Sequence, residues 1–175
     1  MVGPDVRFAT IAELRLLLER RRVSARELAA LACDLLEQDG RSLNAVAAVM
    51  RERALAEADA ADRALARGRR GPLLGIPYGV KDLLDAAGAP TTWGAPPYRE
   101  RVVEQDAQAV DRLRRAGAPL AAKLALIGLA GAGGYRFASA SLHGPARNPW
   151  NPARWTGGSS SGSGAAVGAG PRGSI

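Results

Sequence analysis

Capped helical segments alternate with short apolar runs along the first 130 residues, and this alternation favours an α/β architecture. Thr10-Ile11-Ala12-Glu13 and Ser24-Ala25-Arg26-Glu27 each place a glutamate three residues after a hydroxyl residue, the capping-box pattern. The first predicts a helix to about residue 22. The second, with Leu28, Leu31, Leu35 and Leu36 at helical spacing, predicts one to about residue 38. "NAVAAV" (44–49) reads as a strand, and the alanine-rich stretch 50–67 as a helix ended by Gly68. "GIPYGVKD" (75–82) reads as a turn entering a short buried strand. Asp106 is placed to cap a helix to residue 116, with Val110 and Leu113 inward. A strand over 118–123 and a short helix over 124–130 follow, and the chain is loop-like after Gly131.

Composition narrows the function classes. The 175 residues suffice for one domain with a real core. The sequence is 47% apolar but only 5% aromatic, so that core is finely packed and rich in alanine. There is no 18-residue apolar run and no signal-peptide pattern at the start, so neither a membrane span nor secretion is expected. The single cysteine, Cys33, excludes an internal disulfide, is expected to pack on the apolar face of its helix, and suggests a cytoplasmic protein. The net charge of +7 is spread over short basic runs without interleaved aromatics, which reads as solvated surface rather than a nucleic-acid site. Of the 24 basic residues only two, Lys81 and Lys123, are lysines. Arginine stays protonated in proteins, whereas a desolvated lysine can serve as a base. The one histidine, His143, is expected to be a hydrogen-bonding loop residue.

The glycine–serine stretch "TGGSSSGSGAAVGAG" (156–170) lacks the Gly-Lys-Ser/Thr ending of a P-loop and the spacing of a dinucleotide fingerprint. Taken in order with "GIPYGVKD" and "GPARNPWNPAR" (144–154), it resembles the amidase signature family of serine hydrolases. "DAAGAPTTWGA", "DAQAVDRLRRAGAPLAAKL" and the opening "TIAELRLLLERRRVSARELA" fit the same family, so the resemblance spans nearly the whole chain. It implies an α/β fold with a mixed central sheet flanked by helices, present as an incomplete N-terminal portion. Residues 1–175 are then one fragment of a single domain, with a helical region at 1–70 and the start of the catalytic core at 71–175.

The resemblance also implies a Ser–cis-Ser–Lys triad, with Lys81 as the catalytic lysine and Ser159 as the bridging serine on a cis peptide bond. Gly157, Gly158 and Ser160 form the substrate and oxyanion loop, and a helix begins near Ser163. Ser160, Ser161 and Ser163 either support the loop or serve as cap and turn residues. Lys123 is assigned a structural role, and "NPWNP" a turn with Trp150 packed on the core. No metal and no organic cofactor are implied.

Two positions depart from the family pattern. The family's nucleophile sits in a Gly-Ser-Ile context twenty-four residues beyond the bridging serine, at position 183 here. Ser174 has that context, but at 174 − 159 = 15 residues it falls nine short. Gly128 stands where the family usually has an acidic residue. The expected activity is cleavage of a small-molecule carboxamide through an acyl-enzyme on serine, with the chain as written a truncated, inactive fragment. The alternatives are a protein like the A-type subunit of glutaminyl-tRNA amidotransferase, acting with partner subunits, and a nonfunctional gene remnant. A homodimer is the oligomer compatible with the first reading.

Overall fold

A computed structural model describes residues 6–7, 9–131, 136–138 and 141–170. Helix α1 (Ile11–Glu19) and helix α2 (Ala25–Leu35) both open on complete capping boxes, at Thr10 and Ser24. A second cap reaches α2 from outside. The Asp62 carboxylate accepts from the Ala25 and Arg26 amides at 2.8 and 3.1 Å, so a charged acceptor lies at the positive end of the helix. Helix α1 ends earlier than its periodicity predicts, because Arg21 takes a left-handed φ of 54°. Helix α2 runs into one wide π turn, Leu36–Gly40, and buries Cys33 as expected.

Strand β1 (Val46–Val49) leads to helix α3 (Arg51–Ala66), whose Ala54, Ala58 and Ala61 are buried. Small residues at that spacing bring α3 close to α2, and close approach supplies the dispersion contacts that large side chains would otherwise provide. Strand β2 (Tyr78–Lys81), helix α4 (Gln108–Ala116) and strand β3 (Leu120–Leu124) follow. The sheet order is β1-β3-β2. Central β3 is antiparallel to β1 and parallel to β2, with Val80 opposite Lys123 and Lys81 opposite Leu124. This is the mixed sheet flanked by helices. One apolar cluster joins α1, α2 and α3 to β3 and includes Ala165 and Ala166; a second gathers Met50, Val80, Val110 and Leu120.

Four expectations fail for identifiable reasons. Asp106 does not cap α4, whose N-cap is Ala107. Its carboxylate is taken by the Arg53 guanidinium in a bidentate pair at 2.8 and 2.6 Å and by the Ala87 amide, a charge-assisted set stronger than one cap bond. Residues 124–130 do not form the expected helix. The Ala125 amide donates to Ala45 O and the Ile127 amide to Ser159 O, leaving one 3₁₀ turn (Gly128–Ala130) with Leu129 and Ala130 left-handed. The region after Gly131 is not all loop. Strands β4 (Arg147–Asn148) and β5 (Asn151–Trp155) form a hairpin turned at Pro149-Trp150, where Asn148 Oδ1 accepts from the Trp150 amide. Trp150 is 59% exposed at that tip rather than packed in the core. Helix α5 (Ser161–Gly168) closes the described chain. Among the described residues no helix is long and apolar enough to cross a membrane.

Candidate active site

The last residue of β2 and the loop before α5 meet across 78 residues of sequence. Lys81 Nζ donates to Ser159 Oγ at 2.7 Å. Each partner is placed by backbone rather than by long side-chain contacts. Strand pairing on β3 fixes Lys81, and the Asp82 amide continues that pairing to Leu124 O at 2.8 Å. Ser159 follows a left-handed Gly157 (φ 80°) and a cis Gly158–Ser159 peptide bond, and its carbonyl accepts from the Ile127 amide at 3.0 Å.

The glycines of the loop have a packing reason. A Cβ on Gly162 would run into Ala45 O and the Ala125 amide nitrogen, and would lie 2.8 Å from Ala125 O. Gly162 is therefore what lets the start of α5 lie directly on the extension of β1 and β3, where its amide donates to Ala125 O at 2.8 Å. Thr156 Oγ1 closes the loop by donating to Ser161 O at 2.8 Å. Helix α5 thus begins two residues after Ser159, slightly earlier than the sequence suggests, with its positive end beside the pair.

Lys81 is half-buried, and desolvation alone moves its ammonium towards the neutral form, below the ordinary lysine value. A neutral amine beside a serine hydroxyl is a base coupled to a proton relay. Gly158 and Ser160 flank Ser159 on the exposed side of the loop, and Gly157 is half-buried. Ser161 is buried, and its hydroxyl finds no partner among the described residues. Ser174 lies outside the described residues. His143 stands in the loop before β4, where burial lowers its proton affinity and its Nε2 has no hydrogen-bond partner among the described residues. Among the described residues no group of His, Cys, Asp or Glu is gathered to hold a metal ion.

Sequence reasoning did not single out Asp82, Thr91, Thr92 or Ile127. Asp82 and Lys123 are both fully buried and their charges meet at 3.0 Å, while Lys123 aims its hydrogen bond at Thr91 Oγ1 at 2.6 Å. The signal available was the scarcity of lysine, which marked Lys123, together with an aspartate directly after Lys81.

A family model described as Amidase matches residues 27–171. The chain is 42% identical over 161 residues to the A-type subunit of the glutamyl-tRNA(Gln) amidotransferase of an Azoarcus species, covering 92% of this chain and 32% of that protein. It is 40% identical over 164 residues to the protein named amidase AmiA2 in Mycobacterium bovis, covering 94% of this chain and 33% of that one. Its fold superposes on the peptide amidase of Stenotrophomonas maltophilia with a TM-score of 0.79 at 33% identity, over 91% of this chain and 34% of the other. The chain therefore spans about a third of the length of the curated relatives it matches.

Proposed function

The chain belongs to the amidase family, and on that premise we propose that Lys81 and Ser159 are the proton-transfer half of a serine amidase centre. The carrying observation is the 2.7 Å contact between a partly desolvated lysine and the serine that follows the cis bond. In this reading a nucleophilic serine attacks the carbon of a carboxamide. Its proton passes to Ser159 Oγ as Ser159 gives its own to neutral Lys81. The resulting ammonium returns a proton through Ser159 to the departing nitrogen, and water then hydrolyses the acyl-enzyme by the same relay. Gly157, Gly158 and Ser160 supply the surface against which the substrate carbonyl is held, and the positive end of α5 favours the oxyanion.

The nucleophile is a further serine beyond Ser159. Ser174 has the right neighbours, but its spacing of 15 residues argues against it, so a chain relying on Ser174 is inactive. The 42% identity to an amidotransferase component supports a second reading, in which the same relay releases ammonia from an amide for partner subunits. Both readings take a small-molecule amide. The buried lone thiol of Cys33 fits the reducing cytoplasm.

The test is ammonia release from simple carboxamides by the enzyme that carries this chain. Lys81→Met is expected to lower the rate about 10²- to 10⁴-fold, as loss of a general base does. A variant within tenfold of the parent would overturn the assignment. Co-purification of activity with partner proteins would favour the amidotransferase reading.

A further inference from the structure

A second lysine stands on the strand paired with that of the first, and it is fully buried. Lys123 on β3 sits opposite Val80, one residue from Lys81, and its ammonium is 3.0 Å from the carboxylate of Asp82, also fully buried. Asp82 Oδ2 accepts from the Thr92 amide at 3.1 Å and from the Thr92 hydroxyl. Lys123 Nζ donates to Thr91 Oγ1, and Thr92 Oγ1 accepts from the Gly94 amide at 3.0 Å. The turn held this way then grips the segment under Ser159. Trp93 O accepts from the Leu129 amide at 2.7 Å, and a Cβ on Gly94 would stand 2.8 Å from Leu126 O. Between Leu126 and Leu129 lies Ile127, whose amide holds Ser159 O. The buried pair thus ties the strand end bearing Lys81 to the backbone holding Ser159.

We propose that the Asp82–Lys123 ion pair is a positioning element for the Lys81–Ser159 relay, holding both partners in register and cancelling the carboxylate that would otherwise stand unpaired next to Lys81. The proposal rests on the reading of Lys81 as the base. The other charges near the pair are few. Asp85 and Arg101 pair with each other at 2.9 Å, His143 is driven towards neutrality by burial, and Arg99 stands near His143. The loop carrying Ser159 contributes only uncharged residues, Thr156 and its glycines and serines. Removing Lys123 therefore leaves a buried negative charge beside Lys81, and removing the Asp82 charge leaves a buried positive one.

The chain has two lysines, one half-buried and one fully buried, so an amine reagent can report on Lys81 without any catalytic turnover. Competitive acetylation across pH, read at Lys81 by peptide mass spectrometry, gives its titration midpoint. A midpoint below the ordinary lysine value in the parent supports the base reading, and an ordinary midpoint defeats that reading by itself. In Lys123→Met the midpoint is expected to rise by about 1 unit or more, as an unpaired neighbouring carboxylate does. In Asp82→Asn it is expected to fall. In the double variant, which carries neither charge and preserves volume, it is expected to return close to the parent. Either single variant that folds, judged by circular dichroism, decides the sign. If neither folds, a double variant whose Lys81 midpoint departs from the parent by a unit or more overturns the proposal, and one that matches supports it. Folded single variants with an unchanged Lys81 midpoint would overturn it.

Discussion

At the scale of single residues, the role proposed for Lys81 and its contribution to stability pull in opposite directions. Desolvation lowers its proton affinity in the fold below that of the unfolded chain. Between the folded midpoint and the unfolded value of about 10.4, the unfolded chain holds more protons, so this residue's contribution favours the fold increasingly as pH rises. Below the folded midpoint the desolvated charge is a standing penalty. Lys81→Met removes that penalty, and its thermal midpoint at neutral pH is expected not to fall below the parent's, with any gain shrinking as the pH is raised. A clear loss of thermal stability in that variant would show that Lys81 is held for packing instead. Lys81 was marked as a candidate in the sequence, because two lysines among 24 basic residues direct attention to work arginine cannot do. The depth of Lys123 and its pairing with Asp82 were not legible, since only the parallel register of β2 on β3 brings them together.

The secondary-structure elements show where local signals suffice and where they are overruled. Both capping boxes form as the sequence predicts, because every atom they need lies within four residues. Ser24→Ala is expected to destabilise the fold by about 1 kcal/mol in denaturant titration; Asp62, which still serves two amides of α2, keeps the loss from being larger. No change at all would mean that Asp62 caps the helix unaided. By contrast, Asp106 and residues 124–130 are captured by distant partners, Arg53 for the first and Ala45 and Ser159 for the second. No periodicity records those competitors. Gly162→Ala should destabilise the fold by at least about 2 kcal/mol, since the added methyl meets backbone that cannot rotate away. A stable variant with intact circular dichroism would refute the close packing of α5 on the sheet.

For the whole molecule, the described sheet leaves β1 and β2 each with one unpaired edge, and Val167, Val102, Trp150 and Leu129 are more than half exposed. Open edges and uncovered apolar side chains are templates for association. The isolated chain is expected to elute in size-exclusion chromatography ahead of an 18.2 kDa monomer; a sharp monomer peak would contradict this. The α/β class was readable from the alternation of elements, and the mixed sheet only from the family resemblance. The strand order was not, because β3 enters between β1 and β2 only through long-range pairing. In the proposed function, Lys81 and Ser159 drive a serine nucleophile. The most direct test is a fluorophosphonate probe applied to the enzyme that carries this chain, with the adduct located by peptide mapping. One modified serine C-terminal to Ser159, other than Ser174, is expected, with the adduct lost in Lys81→Met. Labelling that persists without Lys81, or that falls on Ser174, would contradict it.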